Sequence, residues 1–245
     1  MLECRRQDTG KRRNQSLLTY NQTIMIYIIF IVFAVISWLI QKSLQNKIEK
    51  YSRYPLPFTG KQIAEKMLQE NGITDVTVGS TEGSLTDHYN PANKTVNLSE
   101  VVYNNADIAA AAIAAHECGH AVQHAKAYAW LTMRSKLVPI VNFSSKYMTW
   151  VLLAGVLLIE NFPIILEIGI AMFATTTLFA FITLPVEIDA SKRAIAWLEE
   201  TSFTDPEKMS MAKDALRTAA YTYVVAALGS LATLLYYILL AMRRR

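Results

Sequence analysis

Four long apolar runs set the rhythm of this chain, at residues 23–41, 137–159, 164–184 and 219–242. Each approaches or exceeds the ~20 residues that cross a hydrocarbon core as a helix. The first carries Trp38 near its end and stops at Gln41 and Lys42. No small-residue cleavage site follows, so it reads as an uncleaved anchor. The second is interrupted by Asn142 and Lys146, and that lysine must snorkel, face the bundle or mark the entry point. A short Glu160-Asn161-Phe162-Pro163 turn separates the second run from the third, and Pro185 is expected to end the third.

Between the runs the periodicity changes. Residues 1–22 form a polar, basic tail without a folding signal, and Met25 is a plausible alternative start. Residues 42–135 carry soluble patterning. A polar helix over 45–54 is broken by Pro55 and Pro57. Thr59 with Gln62 forms a capping-box signature ahead of Ile63, Ala64, Met67 and Leu68, and Asn71-Gly72 stops that helix. Strand-like runs at 73–78, 84–89 and 95–98 predict a small three-stranded sheet, with a hairpin at the turn-forming stretch 90–93. An alanine-rich helix follows from 106 or 107 to 126. Residues 186–218 are polar again, with a short helix starting at Pro206.

Composition narrows the partners. Over 245 residues the hydrophobic share is 52% and the net charge only +4. The basic residues sit beside the apolar runs, which fits lipid headgroups, and no basic stripe or Gly-rich phosphate loop suggests nucleic acid. The partners expected are therefore the lipid bilayer and no nucleic acid. Cys4 in the tail and Cys118 in the alanine-rich helix make no disulfide framework. Cys118 reads as a packing residue.

The chemistry lies in that helix. His116 and His120 are four apart, so they share one helical face and can offer two imidazoles to one metal ion. Glu117 lies about 100° around the helix, within reach of a water on that metal. His-Glu-x-x-His is the spacing of zinc peptidases: zinc accepts neutral imidazoles, keeps a position for water and lowers its pKa towards ~7, and a carboxylate takes the proton. A catalytic zinc needs a third protein ligand. Two crossings separate the motif from residues 186–218, which return that segment to the motif's side. Glu187, at the mouth of the third run, is then the best candidate. Asp189 is the runner-up or an outer residue that orients an imidazole, and Glu100 a weaker choice. Glu160 and Glu167 fall on the opposite side. His124 is about 12 Å along the helix from His116, too far to share one ion.

Several stretches together resemble a family. Residues 85–91 (Leu-Thr-Asp-His-Tyr-Asn-Pro), 96–99 (Val-Asn-Leu-Ser), 113–124 around the His-Glu motif, and 184–191 (Leu-Pro-Val-Glu-Ile-Asp-Ala-Ser) look like the YugP-type neutral zinc metallopeptidases of bacterial membranes. The resemblance covers roughly residues 25–240. It implies a multi-pass zinc endopeptidase with His116 and His120 as ligands and Glu117 as acid/base. The layout is more distantly similar to HtpX-type and CAAX-processing membrane proteases, whose third ligand is a Glu followed four places later by Asp. Here Ser191 holds that place and the Asp comes at 189.

The expected fold is therefore mainly α and multi-pass, with about four transmembrane helices and a small α+β zincin-like, gluzincin-like catalytic part. The expected function is peptide-bond hydrolysis with one Zn2+ per chain and Glu117 as general base, acting on a peptide or membrane-protein substrate. His88, His124, Tyr89 and Arg217 are candidates for the oxyanion donor. If the strand at 95–98 is a free edge, an extended substrate can add to it. The competing class is a non-catalytic membrane scaffold holding a structural metal or haem through its helix histidines; Glu117 discriminates, since a scaffold does not need it. Arg134, Lys136, Lys192, Arg193 and Arg217 flank the spans on the motif's side, while the 160–163 turn has no Lys or Arg. That pattern puts the site in the cytoplasm, although Arg243, Arg244, Arg245 and the basic tail point the other way.

Overall fold

The computed structural model describes residues 2–201 and 205–242, with side chains from Tyr27 onward. Residues 2–22, expected as a tail without a folding signal, are helical and continuous with the first apolar run in α1. In chain order the elements are α1 (Leu2–Tyr51), α2 (Gly60–Glu70), β1 (Thr77–Thr81), β2 (His88–Asn90), β3 (Thr95–Ser99), α3 (Glu100–Asn104), α4 (Ile108–Ala125), α5 (Ala129–Leu157), α6 (Pro163–Glu200) and α7 (Pro206–Met242).

Four of these helices, α1, α5, α6 and α7, are long and apolar enough to cross a membrane, with mean hydropathy from 1.3 to 2.1 in their most apolar windows. Their outer faces carry large exposed apolar side chains such as Ile31, Trp38, Phe143, Trp150 and Leu178. Such surface is tolerable in lipid and not in water. Lys146 is on an outer face too, with its ammonium 5.3 Å from the Tyr147 ring centroid, so it does not face the bundle. Glycines set the spacing of the α5–α6 hairpin. A Cβ on Gly155 would come within 2.5 Å of Leu166 Cα, and one on Gly169 within 2.8 Å of a Leu152 methyl.

Pro185 does not end the third apolar run. Helix α6 continues through it for another fifteen residues to Glu200. A proline removes one backbone donor and crowds one carbonyl, whereas the helix beyond it buries Val186, Ala190, Ala194, Trp197 and Leu198. That packing holds the helix together. Likewise α7 is one rod, so the short helix at Pro206 and the last span are continuous.

These extensions build the soluble part. The ends of α6 and α7 share one hydrophobic core with α2, β3 and α4: Trp197, Leu198, Met209 and Leu216 pack with Ile63, Met67, Leu98 and Ile108. Residues 42–135 and 186–218 therefore form one unit. Helix α2 begins at the expected capping box, with Thr59 Oγ1 accepting from the Gln62 amide and Gln62 Oε1 from the Thr59 amide, and the chain turns out of it at Gly72 with φ +70°. Polar ties join the rods to the core. Trp197 Nε1 donates to Glu70 at 2.7 Å, and Lys47 and Tyr51 of α1 both donate to Asp214 of α7.

The sheet corrects one expectation. Its order is β1-β3-β2, with β3 parallel to β1 and antiparallel to β2. The stretch 95–98 thus lies in the central strand, and Thr95, Val96 and Asn97 are paired on both sides. This stretch is therefore not the free edge that strand addition needs. The first strand also starts later than expected, at Thr77, and the second is only three residues long.

Candidate active site

Helix α4 is the axis of the site. Asp107 caps it, accepting from the Ala110 amide at 2.8 Å, and its alanines let neighbours approach closely. The closest approach is at Gly119, between the two motif histidines. A Cβ there would lie 2.5 Å from the Ala190 carbonyl oxygen, so α6 passes directly against α4. Only a residue without a side chain permits this crossing. It delivers Glu187, one turn before Ser191, onto the face that carries His116 and His120.

The result is a three-residue cluster. Glu187 Oε2 is 3.3 Å from His116 Nε2 and 3.5 Å from His120 Nε2, and one ligand atom from each residue lies within 4.8 Å of the others. Ligands about 2.0–2.1 Å from a tetrahedral zinc sit about 3.3 Å from one another. The observed spacings fit that edge, and two imidazoles with one carboxylate are a zinc donor set. Glu187 and His120 are buried, and His116 is half-buried. Burial disfavours the charged imidazole of His120, but the adjoining Glu187 carboxylate outweighs it and leaves the pKa above its ordinary 6.5.

Both imidazoles are held from behind. His116 Nδ1 is 3.1 Å from Ser191 Oγ, and His120 Nδ1 is 3.1 Å from Gln123 Oε1. With each Nε2 turned to the metal position, each Nδ1–H donates to these oxygens. Gln123, fully buried, spends its amide hydrogens on the Val186 carbonyl and on Asp189 Oδ2, both at 2.8 Å. Asp189 also accepts from Arg193 Nε at 2.6 Å. It therefore acts on His120 through Gln123 and is not part of the His–His–Glu cluster. Glu100 lies in the first turn of α3, outside the cluster.

Glu117 points into the same space. Its Oε2 accepts the backbone amide of Tyr89 at 3.0 Å, which ties the carboxylate to edge strand β2. A polar cavity of about 170 Å³ holds His116, Glu117, His120 and Glu187 together with His88, Tyr89, Arg134 and Tyr223. Of the expected oxyanion donors, His88 and Tyr89 line this cavity, while His124 and Arg217 do not. His88 is bound through Nδ1 to the Thr86 carbonyl at 2.8 Å. His124 is exposed and paired with Tyr89 Oη at 2.7 Å. Arg217 is on an exposed face of α7. Cys118 is fully buried against the Ala64 carbonyl; burial, with the Glu117 charge adding, pushes its thiol well above the ordinary range, so it packs and is no nucleophile.

Gln123, Tyr223 and Arg134 were not singled out for the site from sequence. Gln123 carried a usable signal, a polar side chain on the buried face of a helix, three residues after a ligand. Tyr223 and Arg134 carried none, because their place depends on how α7 and α5 pack.

Fold and site together define the class: a mainly α, multi-pass membrane protein with a small α+β part and a His–His–Glu cluster able to hold a metal. The family model described as "putative neutral zinc metallopeptidase" matches residues 26–242. The chain is also 37% identical over 224 residues to the "Putative membrane protease YugP" of Bacillus subtilis (strain 168), covering 90% of this chain and 99% of that one. No solved structure matches. The chain belongs to this family of neutral zinc metallopeptidases.

Proposed function

We propose that the protein is a membrane-embedded zinc endopeptidase, with one Zn2+ per chain held by His116, His120 and Glu187. The observation that carries this reading is the pair of 3.3 and 3.5 Å spacings between Glu187 Oε2 and the two imidazoles, with Glu117 in the same cavity. Zinc bound there supplies a Lewis acid that polarises a carbonyl and brings the pKa of water towards ~7.

The protein side chains supply the rest. Glu117 takes the proton of the attacking water and hands it to the leaving amine. The Tyr89 amide keeps its carboxylate aimed across the cavity. Of His88, Tyr89, Arg134 and Tyr223, which line the cavity, the Tyr89 hydroxyl is engaged by His124 and His88 Nδ1 by the Thr86 carbonyl, so Tyr223 and Arg134 serve the carbonyl oxygen as it gains charge. Ser191 and Gln123 hold the imidazoles in the tautomer that frees Nε2. The substrate is a peptide or membrane-protein segment at the lipid surface. The site faces the cytoplasm, supported by Arg134, Lys136, Lys192 and Arg193 on its side and by the turn at 160–163, which has no Lys or Arg.

The test is Glu117→Gln in full-length protein. Zinc content by elemental analysis stays at one per chain, while cleavage of an unfolded protein such as casein falls by at least ~100-fold. Undiminished cleavage with zinc retained removes the peptidase reading and leaves a metal-holding scaffold.

A further inference from the structure

Beside the polar metal cavity lies a second chamber of different chemistry. It is an apolar recess of about 200 Å³ between α1, α4 and α7. Ile48 of α1, Ala112 and Ile113 of α4 and Ala219 of α7 form its walls, with Leu85 at the rim. The two chambers adjoin: His116, Glu117, Asp87 and Tyr223 line both.

We infer that this recess receives one large apolar side chain of the substrate, from a residue flanking the bond that is cut; the inference rests on the peptidase reading above. Position is the first support. The inner wall is His116 and Glu117, so a side chain in the recess belongs to a residue beside the reacting carbonyl. Size is the second. The volume suits a single Leu, Met or Phe side chain, and it exists because alanines stand where larger residues would fill it. Wall chemistry is the third. The polar groups are confined to the side shared with the metal cavity and include the Asp87 and Glu117 carboxylates, so an acidic side chain would enter without a partner and be rejected.

Leu85 adds an independent observation. It sits in the loop between β1 and β2 with φ +59°, a left-handed conformation that residues other than glycine rarely adopt, and its side chain is 61% exposed. The loop thus holds an apolar side chain in the open at the rim of an apolar recess. A substrate side chain seated there covers it.

The experiment uses full-length, zinc-loaded protein in detergent and four quenched fluorogenic peptides that differ at one central residue: Gly, Asp, Leu or Phe. The Leu and Phe peptides are expected to be cleaved with kcat/KM at least ~10-fold above the Gly and Asp peptides, with the cut mapped by mass spectrometry next to the variable residue. Ala219→Phe fills the recess and should lower the Leu-to-Gly ratio by at least ~10-fold. Should that variant fail to fold, Ile113→Ala enlarges the recess and should move the preference from Leu to Phe. Cleavage of all four peptides at similar rates, or a Leu-to-Gly ratio that neither variant moves, overturns the inference and leaves the peptidase reading intact. Cleavage of none of the peptides, nor of casein, by zinc-loaded protein removes the peptidase reading and the inference with it.

Discussion

Ser191 Oγ lies 3.1 Å from His116 Nδ1, on the side of the imidazole away from the metal position, and one helical turn beyond Glu187 on α6. One helix thus supplies both a member of the His–His–Glu cluster and the group that orients another member. Ser191→Ala should weaken zinc binding by about 10-fold, the usual cost of losing an outer hydrogen-bond partner. Ser191→Asp, which restores an acceptor at that place, should recover most of it. Competition with a chromophoric chelator measures both, and an affinity unchanged in Ser191→Ala would show that the serine does not orient the ring.

Gly119 should tolerate no side chain. Its missing Cβ leaves room for the Ala190 carbonyl oxygen, and backbone cannot move aside as a side chain can. Gly119→Ala should cost about 1–3 kcal/mol of stability and push α6 outward. Zinc affinity should drop along with the melting temperature, because Glu187 rides on α6. A variant with full affinity would mean that the helices can separate without disturbing the cluster.

Much of this site is legible in the sequence. The spacing of His116, Glu117 and His120 defines one helical face, and the parity of membrane crossings points to Glu187, which lies beside the two histidines. The capping box at Thr59 and Gln62 and the stop at Gly72 were equally local. What was not legible depended on contacts between distant elements. Alternation at 95–98 identifies a strand but says nothing about its neighbours, so the central position of β3 was hidden. Pro185 reads as a breaker when only local propensity is weighed. Its tolerance comes from the burial of Val186, Ala190 and Ala194, with Ala190 lying directly against Gly119 of α4. Tyr223 entered the cavity only through the packing of α7, a hundred residues from the motif.

Zinc removal should make stability respond to pH in a defined sense. In the zinc-free protein the Glu187 carboxylate holds the His120 pKa above 6.5. The stabilisation from that pair is complete below about pH 6.5 and is lost as pH rises through the raised value. Zinc needs the neutral ring, so its binding strengthens over the same rise. Melting curves from pH 5.5 to 9 should show the zinc-free form losing stability upward and the gap between loaded and zinc-free forms widening. A gap that narrows with pH would contradict the sign.

Tyr223→Phe removes one hydroxyl from the wall shared by both chambers. If that hydroxyl serves the carbonyl oxygen as charge develops, kcat should fall about 100-fold while KM changes little. Zinc content should be unaffected. A rise in KM at constant kcat would assign the tyrosine to substrate holding.

Helix α6 runs unbroken from its first apolar turn at Pro163 to the carboxylate of Glu187 and beyond. Leu166 and Glu187 are therefore about 32 Å apart on one stiff rod. A tilt of about 2° around the lipid-embedded end carries Glu187 sideways by about 1 Å, the scale on which ligand geometry fails. Small rotations of one long helix are therefore magnified at its far end, where they would change the distance between Glu187 and the two histidines.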